Sequence, residues 1–184
     1  MNAITPSADI WIFGYGSLVW RPGFDSDHQE IARLSDYARS FCMWSVHYRG
    51  THENKGLVLA LDAQEGVHCD GVAFRVSAAQ APAVLEYLRE RELVSAAYLE
   101  VQCDIELACG TVVNAYTYVI DPDHDQYAAG LDLDEQARII ARGHGTGGPN
   151  TEYLFNVASH LKDWGIADAE LETLADKTRA LMGD

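Results

Sequence analysis

The segment Tyr98–Leu107 alternates without a break. Leu99, Val101, Cys103, Ile105 and Leu107 fall on one face, and Glu100, Gln102, Asp104 and Glu106 on the other. Period-two patterning of this length predicts a strand with one dry and one wet side. Ala108-Cys109-Gly110 then turns the chain, and Thr111–Ile120, rich in Val, Thr and Tyr, supplies a hairpin partner. A hairpin set among helical segments is incompatible with a regular βαβ repeat, whose strands are parallel and joined by helices. The pattern predicts an α+β chain.

Further strands are predicted at Ile10–Phe13, which runs into Gly14-Tyr15-Gly16-Ser17, at Tyr37–Tyr48, and in the separate apolar runs Leu57–Leu61 and Gly71–Val76. Helices are predicted over Ala79–Leu93, with Ser77 and Gln80 spaced as a capping box, and over Leu133–Arg142, which opens with acids and closes on Arg142-Gly143. A third is predicted over Thr151–Trp164, capped by Asn150, and a weaker one over Asp168–Leu181. No repeat or linker divides the chain, so residues 1–184 are expected to form a single domain.

Charge narrows the partners. The chain carries 28 acids against 13 bases, a net charge of −15. Nucleic acids and anionic membranes both require a basic footprint, so neither is an expected partner. The opening Met1-Asn2-Ala3-Ile4-Thr5-Pro6 has no basic or long apolar leader, and the apolar runs are strand-sized. Cys42, Cys69, Cys103 and Cys109 form no CxxC pair and read as reduced thiols. A cytoplasmic location is expected.

Three segments have the composition for chemistry. Gly14-Tyr15-Gly16-Ser17-Leu18-Val19 ends a strand with two glycines that let several N–H groups converge, which suits a carboxylate or oxyanion; a plain strand-ending turn has the same composition. Glu92 follows Val84 and Leu88 at helical spacing, so a carboxylate extends an apolar stripe. Such a group is either a desolvated proton shuttle or one half of an ion pair. The glycine-rich stretch Gly143–Gly148 feeds a helix and serves either as an anion-friendly entry or as a connector. The Asp121–Asp125 cluster lacks the EF-hand glycine and terminal glutamate, and the histidines lack HExxH or paired spacing, so no metal is predicted.

Taken together and in order, these segments resemble the ChaC-like γ-glutamylcyclotransferase family. The likeness runs from Trp11-Ile12-Phe13-Gly14-Tyr15-Gly16-Ser17-Leu18-Val19-Trp20 through Arg39-Ser40-Phe41, Tyr48-Arg49-Gly50-Thr51 and Gly56–Asp62. It continues through Tyr87-Leu88, Arg91-Glu92 and Tyr98 to Gly148-Pro149-Asn150-Thr151-Glu152-Tyr153-Leu154. Ala96-Ala97 stands where the family often has two glycines, and Lys55 where proline is usual.

The resemblance implies a γ-glutamylcyclotransferase-like fold, a small mixed β-barrel with flanking helices. It implies cleavage of glutathione, or a related γ-glutamyl peptide, to 5-oxoproline and Cys-Gly without a cofactor. It makes Glu92 the acid/base and gives Gly14, Tyr15, Gly16, Ser17, Leu18 and Val19 the γ-glutamyl group. Arg39 and Tyr153 match family positions and are expected to contact substrate or support the site. Two other readings fit: cyclotransfer from other γ-glutamyl amides, and a non-catalytic γ-glutamyl-binding regulatory module linked to cation transport. Glutathione is itself anionic near neutrality. An acidic protein is therefore expected to hold it through backbone N–H groups and a few close bases, with a weak salt effect on capture.

Overall fold

Short apolar strands that cannot bury a face alone are stable only when paired and closed, and that is how this chain resolves them. A computed structural model describes residues 8–183, so Met1–Pro6 lies outside the described residues. Five strands close a barrel in the order β1-β3-β2-β4-β5: β1 (Ile10–Gly14), β2 (His28–Ser45), β3 (Gly56–Val76), β4 (Tyr98–Leu107) and β5 (Val112–Ile120). β1 runs antiparallel to β3, with Ile12 opposite Phe74, and parallel to β5. The predicted hairpin forms, from Tyr98 opposite Ile120 to Glu106 opposite Val112, and Gly110 takes the left-handed conformation at its turn (φ 84°). The helices are α1 (Ala81–Glu92), α2 (Leu133–Arg142), α3 (Asn150–Asp163) and α4 (Ala169–Met182); the two-residue strands β6 (His144–Gly145) and β7 (Gly148–Pro149) precede α3.

The chain separates into two compact units, and β2 and β3 contribute to both. The first unit runs up to Ala38 and resumes over Leu61–Asp121. Ile12, Phe13, Leu34, Val72, Phe74, Leu88, Ile105 and Tyr118 are buried in it, and Phe24 meets Phe74 edge to face. The second comprises Arg39–Ala60 and Pro122 onward. There α2, α3 and α4 pack together, burying Leu57, Leu59, Ile140, Leu154, Val157, Leu161, Leu171 and Leu174.

Several local predictions are corrected. Leu57–Leu61 and Gly71–Val76 are the two ends of one 21-residue strand. Its polar middle is exposed and contains Gly66 at φ 81°, whose N–H is held by the carboxylate of Asp36, itself at φ 63°. The Ser77/Gln80 box does not form: Gln80 makes no side-chain cap, and the Ser77 carbonyl accepts the Gln80 and Ala81 N–H groups instead. Asn150 does not cap α3. It is the helix's first residue, Pro149 occupies the cap position, and the Asn150 side chain is used elsewhere. Ala96 adopts φ 56°, a conformation glycine enters at no steric cost. Among the described residues no helix is long and apolar enough to cross a membrane.

Candidate active site

The glycine turn and Glu92 both lie in the first unit. At the end of β1 the chain doubles back so tightly that a Cβ on Gly14 would lie 3.0 Å from both the Leu18 Cβ and the Phe74 ring. A single 3-10 turn follows over Ser17–Val19, with the Val19 N–H donating to the Gly16 carbonyl at 3.0 Å and the Arg21 N–H to the Ser17 carbonyl at 2.9 Å. Tyr15 is buried, and its hydroxyl donates to the Tyr118 carbonyl at 2.9 Å. Leu18 and Val19 are buried as well. Their side chains therefore shape the turn from beneath, while Ser17 keeps a half-buried hydroxyl.

Glu92 is the last residue of α1, one turn beyond Leu88 and two beyond Val84, both of which are buried. Its side chain is 18% exposed. Burial pushes its carboxyl above the usual range, and the neighbouring Arg91 guanidinium partly offsets this. The negative end of α1 acts in the same direction as burial. A carboxyl whose proton affinity is raised this way is better suited than a solvated one to accept and return a proton.

Arg91 and Tyr118 complete the surroundings of Glu92. The Arg91 Nε stands 3.1 Å from Glu92 Oε1, and its Nη2 donates to Ser17 Oγ at 2.9 Å. Buried Tyr118 donates its hydroxyl to Glu100 Oε2 at 3.1 Å, and Arg89 grips the same carboxylate with a two-pronged pair at 2.7 and 2.9 Å. Burial, with the charges of Glu100 and Glu92, raises the Tyr118 pKa, so the phenol stays protonated. Neither residue stands out in the sequence. Arg91 is visible only as the neighbour of Glu92, and Tyr118 is one of several aromatics in a strand.

Arg39 and Tyr153 belong to the second unit. The Arg39 side chain is 4% exposed and donates to Asp168 Oδ2 at 2.7 Å. Asp168 also caps α4, accepting the Leu171 N–H at 3.0 Å. Tyr153 meets Phe41 edge to face at 5.9 Å, and the Arg49 guanidinium lies 5.7 Å from its ring centre. Replacing Arg39 by methionine is expected to cost about 1–3 kcal/mol, below the about 3–5 kcal/mol of a fully buried broken pair, because Asp168 keeps its N–H partner and some solvent. Urea unfolding measures that loss, and an unchanged KM would mark the residue as support.

The fold defines a class. A solved structure of a yeast γ-glutamylcyclotransferase specific to glutathione superposes with a TM-score of 0.84 over 95% of this chain and 97% of that one, at 24% identity. A further γ-glutamyl cyclotransferase structure superposes with a TM-score of 0.59 at 17% identity, over 90% of this chain and 86% of that one. This is the γ-glutamylcyclotransferase fold, a closed mixed barrel with α-helices.

Within that class the sequence is specific. The ChaC-like protein family's sequence model matches residues 10–181, and the chain belongs to that family. The glutathione-specific γ-glutamylcyclotransferase of Escherichia coli K12 is 33% identical over 175 residues, 95% of this chain and 75% of that protein. The zebrafish (Danio rerio) glutathione-specific γ-glutamylcyclotransferase 1 is 35% identical over 164 residues, 88% of this chain and 83% of its own. The Schizosaccharomyces pombe glutathione-specific enzyme is 33% identical over 177 residues, 88% of this chain and 87% of its own.

Proposed function

We propose that this chain is a glutathione-specific γ-glutamylcyclotransferase, a lyase that releases 5-oxoproline and Cys-Gly. The observation that carries the reading is the desolvated Glu92 carboxylate, with raised proton affinity, joined through Arg91 to the glycine turn. The substrate's α-amino nitrogen attacks its own γ-carbonyl carbon and closes a five-membered ring. The bond from that carbon to the cysteine nitrogen then breaks. Glu92 takes the proton that the attacking amine sheds and returns one to the departing amine, so no protein nucleophile, metal or redox partner enters the balance.

The first N–H groups of a 3-10 turn have no partner within it, and those of Ser17 and Leu18 would face the glutamyl carboxylate or the developing oxyanion. Holding the chain in its ring-closing geometry supplies effective molarities on the order of 10⁵ M or more. We assign Arg39 and Tyr153 to support of the second unit, since the Arg39 guanidinium is bound to Asp168 and the Tyr153 ring is flanked by Phe41 and Arg49. The setting we infer is cytoplasmic, where the four free thiols stay reduced. A net charge of −15 argues against nucleic acid as a partner.

Incubating the purified protein with glutathione and a panel of other γ-glutamyl compounds, with 5-oxoproline as the readout, tests the proposal. Release from glutathione and little from the rest is the expected result. Release from other γ-glutamyl amides alone would move the substrate, and binding without release would make the protein a ligand-sensing module.

A further inference from the structure

Neighbouring residues on a helix point about 100° apart and do not face each other. Arg91 and Glu92 nevertheless touch, because Glu92 ends α1 and the Arg91 side chain is held from elsewhere. All three guanidinium nitrogens are engaged. Nη1 donates to the carbonyls of Arg21 (2.6 Å) and Pro22 (3.3 Å) and to the Tyr87 hydroxyl (3.1 Å). Nη2 donates to Ser17 Oγ at 2.9 Å, and Nε stands 3.1 Å from the Glu92 carboxylate. The anchoring loop is built for this approach. Gly23 sits at φ 76°, and a Cβ there would overlap the Tyr87 hydroxyl, which pins Arg21-Pro22-Gly23 against the helix.

We propose that Arg91 is a positioning residue of the reaction, locking the glycine turn to the Glu92 carboxylate and making the Ser17 hydroxyl a donor toward an anionic group of the substrate. This rests on the reading of Glu92 as acid/base. A hydroxyl has one proton and two lone pairs, and Arg91, which has only donors, occupies a lone pair. The Ser17 proton is thereby left to donate, and a charge-assisted partner behind the oxygen strengthens that donation. Arg91 also opposes the desolvation of Glu92 and keeps the carboxylate available as a base. Tyr118 on β5 also feels the Glu92 charge, its hydroxyl meets Glu100 of β4, which Arg89 of α1 grips, and Tyr87 of α1 meets the Arg91 guanidinium.

The test uses two readouts, one of which does not depend on turnover. Carbon-13 NMR follows the Glu92 carboxyl titration in the wild type, Arg91→Met and Arg91→Lys. Methionine is expected to move the titration upward, and lysine, a cation without the fork, to restore part of the shift. Calorimetry then measures glutathione binding in Ser17→Ala, Arg91→Met and the double variant, all in a Glu92→Gln background, whose slowed turnover spares the ligand. Each single change is expected to weaken binding about 10-fold or more, as for a hydrogen bond to a charged group, and the double variant to be little worse than Arg91→Met alone. A Glu92 titration unmoved in both arginine variants, or losses that multiply in the double variant, would overturn the proposal. Should Arg91→Met fail to fold by thermal melting, Arg91→Lys carries the test, since it too should weaken binding. Normal turnover by Glu92→Gln would overturn the acid/base reading alone, and the carboxyl titration, which is read on the intact Glu92 side chain without turnover, would still decide the role of Arg91.

Discussion

Glu92→Gln is expected to fold normally and to lose glutathione turnover by about 10²–10⁴-fold, the range that a positioned acid/base contributes. The loss should fall on kcat more than on KM, because glutamine keeps the shape and hydrogen-bonding reach of the carboxylate but cannot move a proton. The substitution should also relieve a cost. A carboxyl raised above its ordinary value of 4.5 binds its proton more tightly in the folded chain than in the unfolded one. Below pH 4.5 both states are protonated and the group contributes nothing. As pH rises from there towards the folded value, the unfolded chain ionises first, and wild-type stability falls by this group's share. Glutamine has no such share, so the stability of the variant relative to wild type should grow with pH across that window and then level off. Urea unfolding at pH 4.5 and pH 8 measures this, together with 5-oxoproline release at each pH. Near-normal turnover, or a stability difference that shrinks with pH, would sink the assignment of a desolvated acid/base.

Features written in neighbouring residues were legible before the structure, and those made by distant pairing were not. The bounds of α2 agree to the residue because local chemistry sets them: Asp132 and Glu135 close a reciprocal capping box, and Arg142 precedes the Gly143 stop. The hairpin of β4 and β5 was equally plain, since alternation and turn chemistry lie within two dozen residues. Glu92 could be picked out because its spacing from Val84 and Leu88 is a property of one helix. β3 reads as two strands because its exposed, polar middle, with Gly66 held by the Asp36 carboxylate, looks like a loop in a window of ten residues. Arg91 went unassigned for the same reason. Its partners Ser17, Arg21 and Pro22 lie about seventy residues away, and no pattern within α1 announces them. The family resemblance points to the turn and the glutamate but gives no account of what joins them.

Asn150 is the sharpest case of a residue whose local reading and actual work differ, and it carries the other large expected effect. Its type and position suit a helix cap, yet it is fully buried, and its amide lies against β3 as a substitute strand. Oδ1 accepts the Leu57 N–H and Nδ2 donates to the Leu57 carbonyl, both at 2.7 Å. Glycines clear the approach on two sides: a Cβ on Gly56 would lie 2.7 Å from Asn150 Oδ1, and one on Gly143 would lie 2.8 Å from its Cβ. Asn150→Ala leaves a donor and an acceptor of buried Leu57 unpaired at about 1–3 kcal/mol each, so a total loss of about 2–6 kcal/mol is expected. Asn150→Asp separates shape from hydrogen bonding. It keeps the acceptor for the N–H, but it sets a second oxygen against the Leu57 carbonyl, where only a protonated acid could donate. The aspartate variant should therefore approach wild-type stability in acid and weaken as pH rises through and beyond the ordinary carboxylate range, the reverse of the trend expected for Glu92→Gln. Urea unfolding of both variants across that range decides it. A raised KM with unchanged stability would instead make Asn150 a substrate group rather than the clasp that holds α3 to β3.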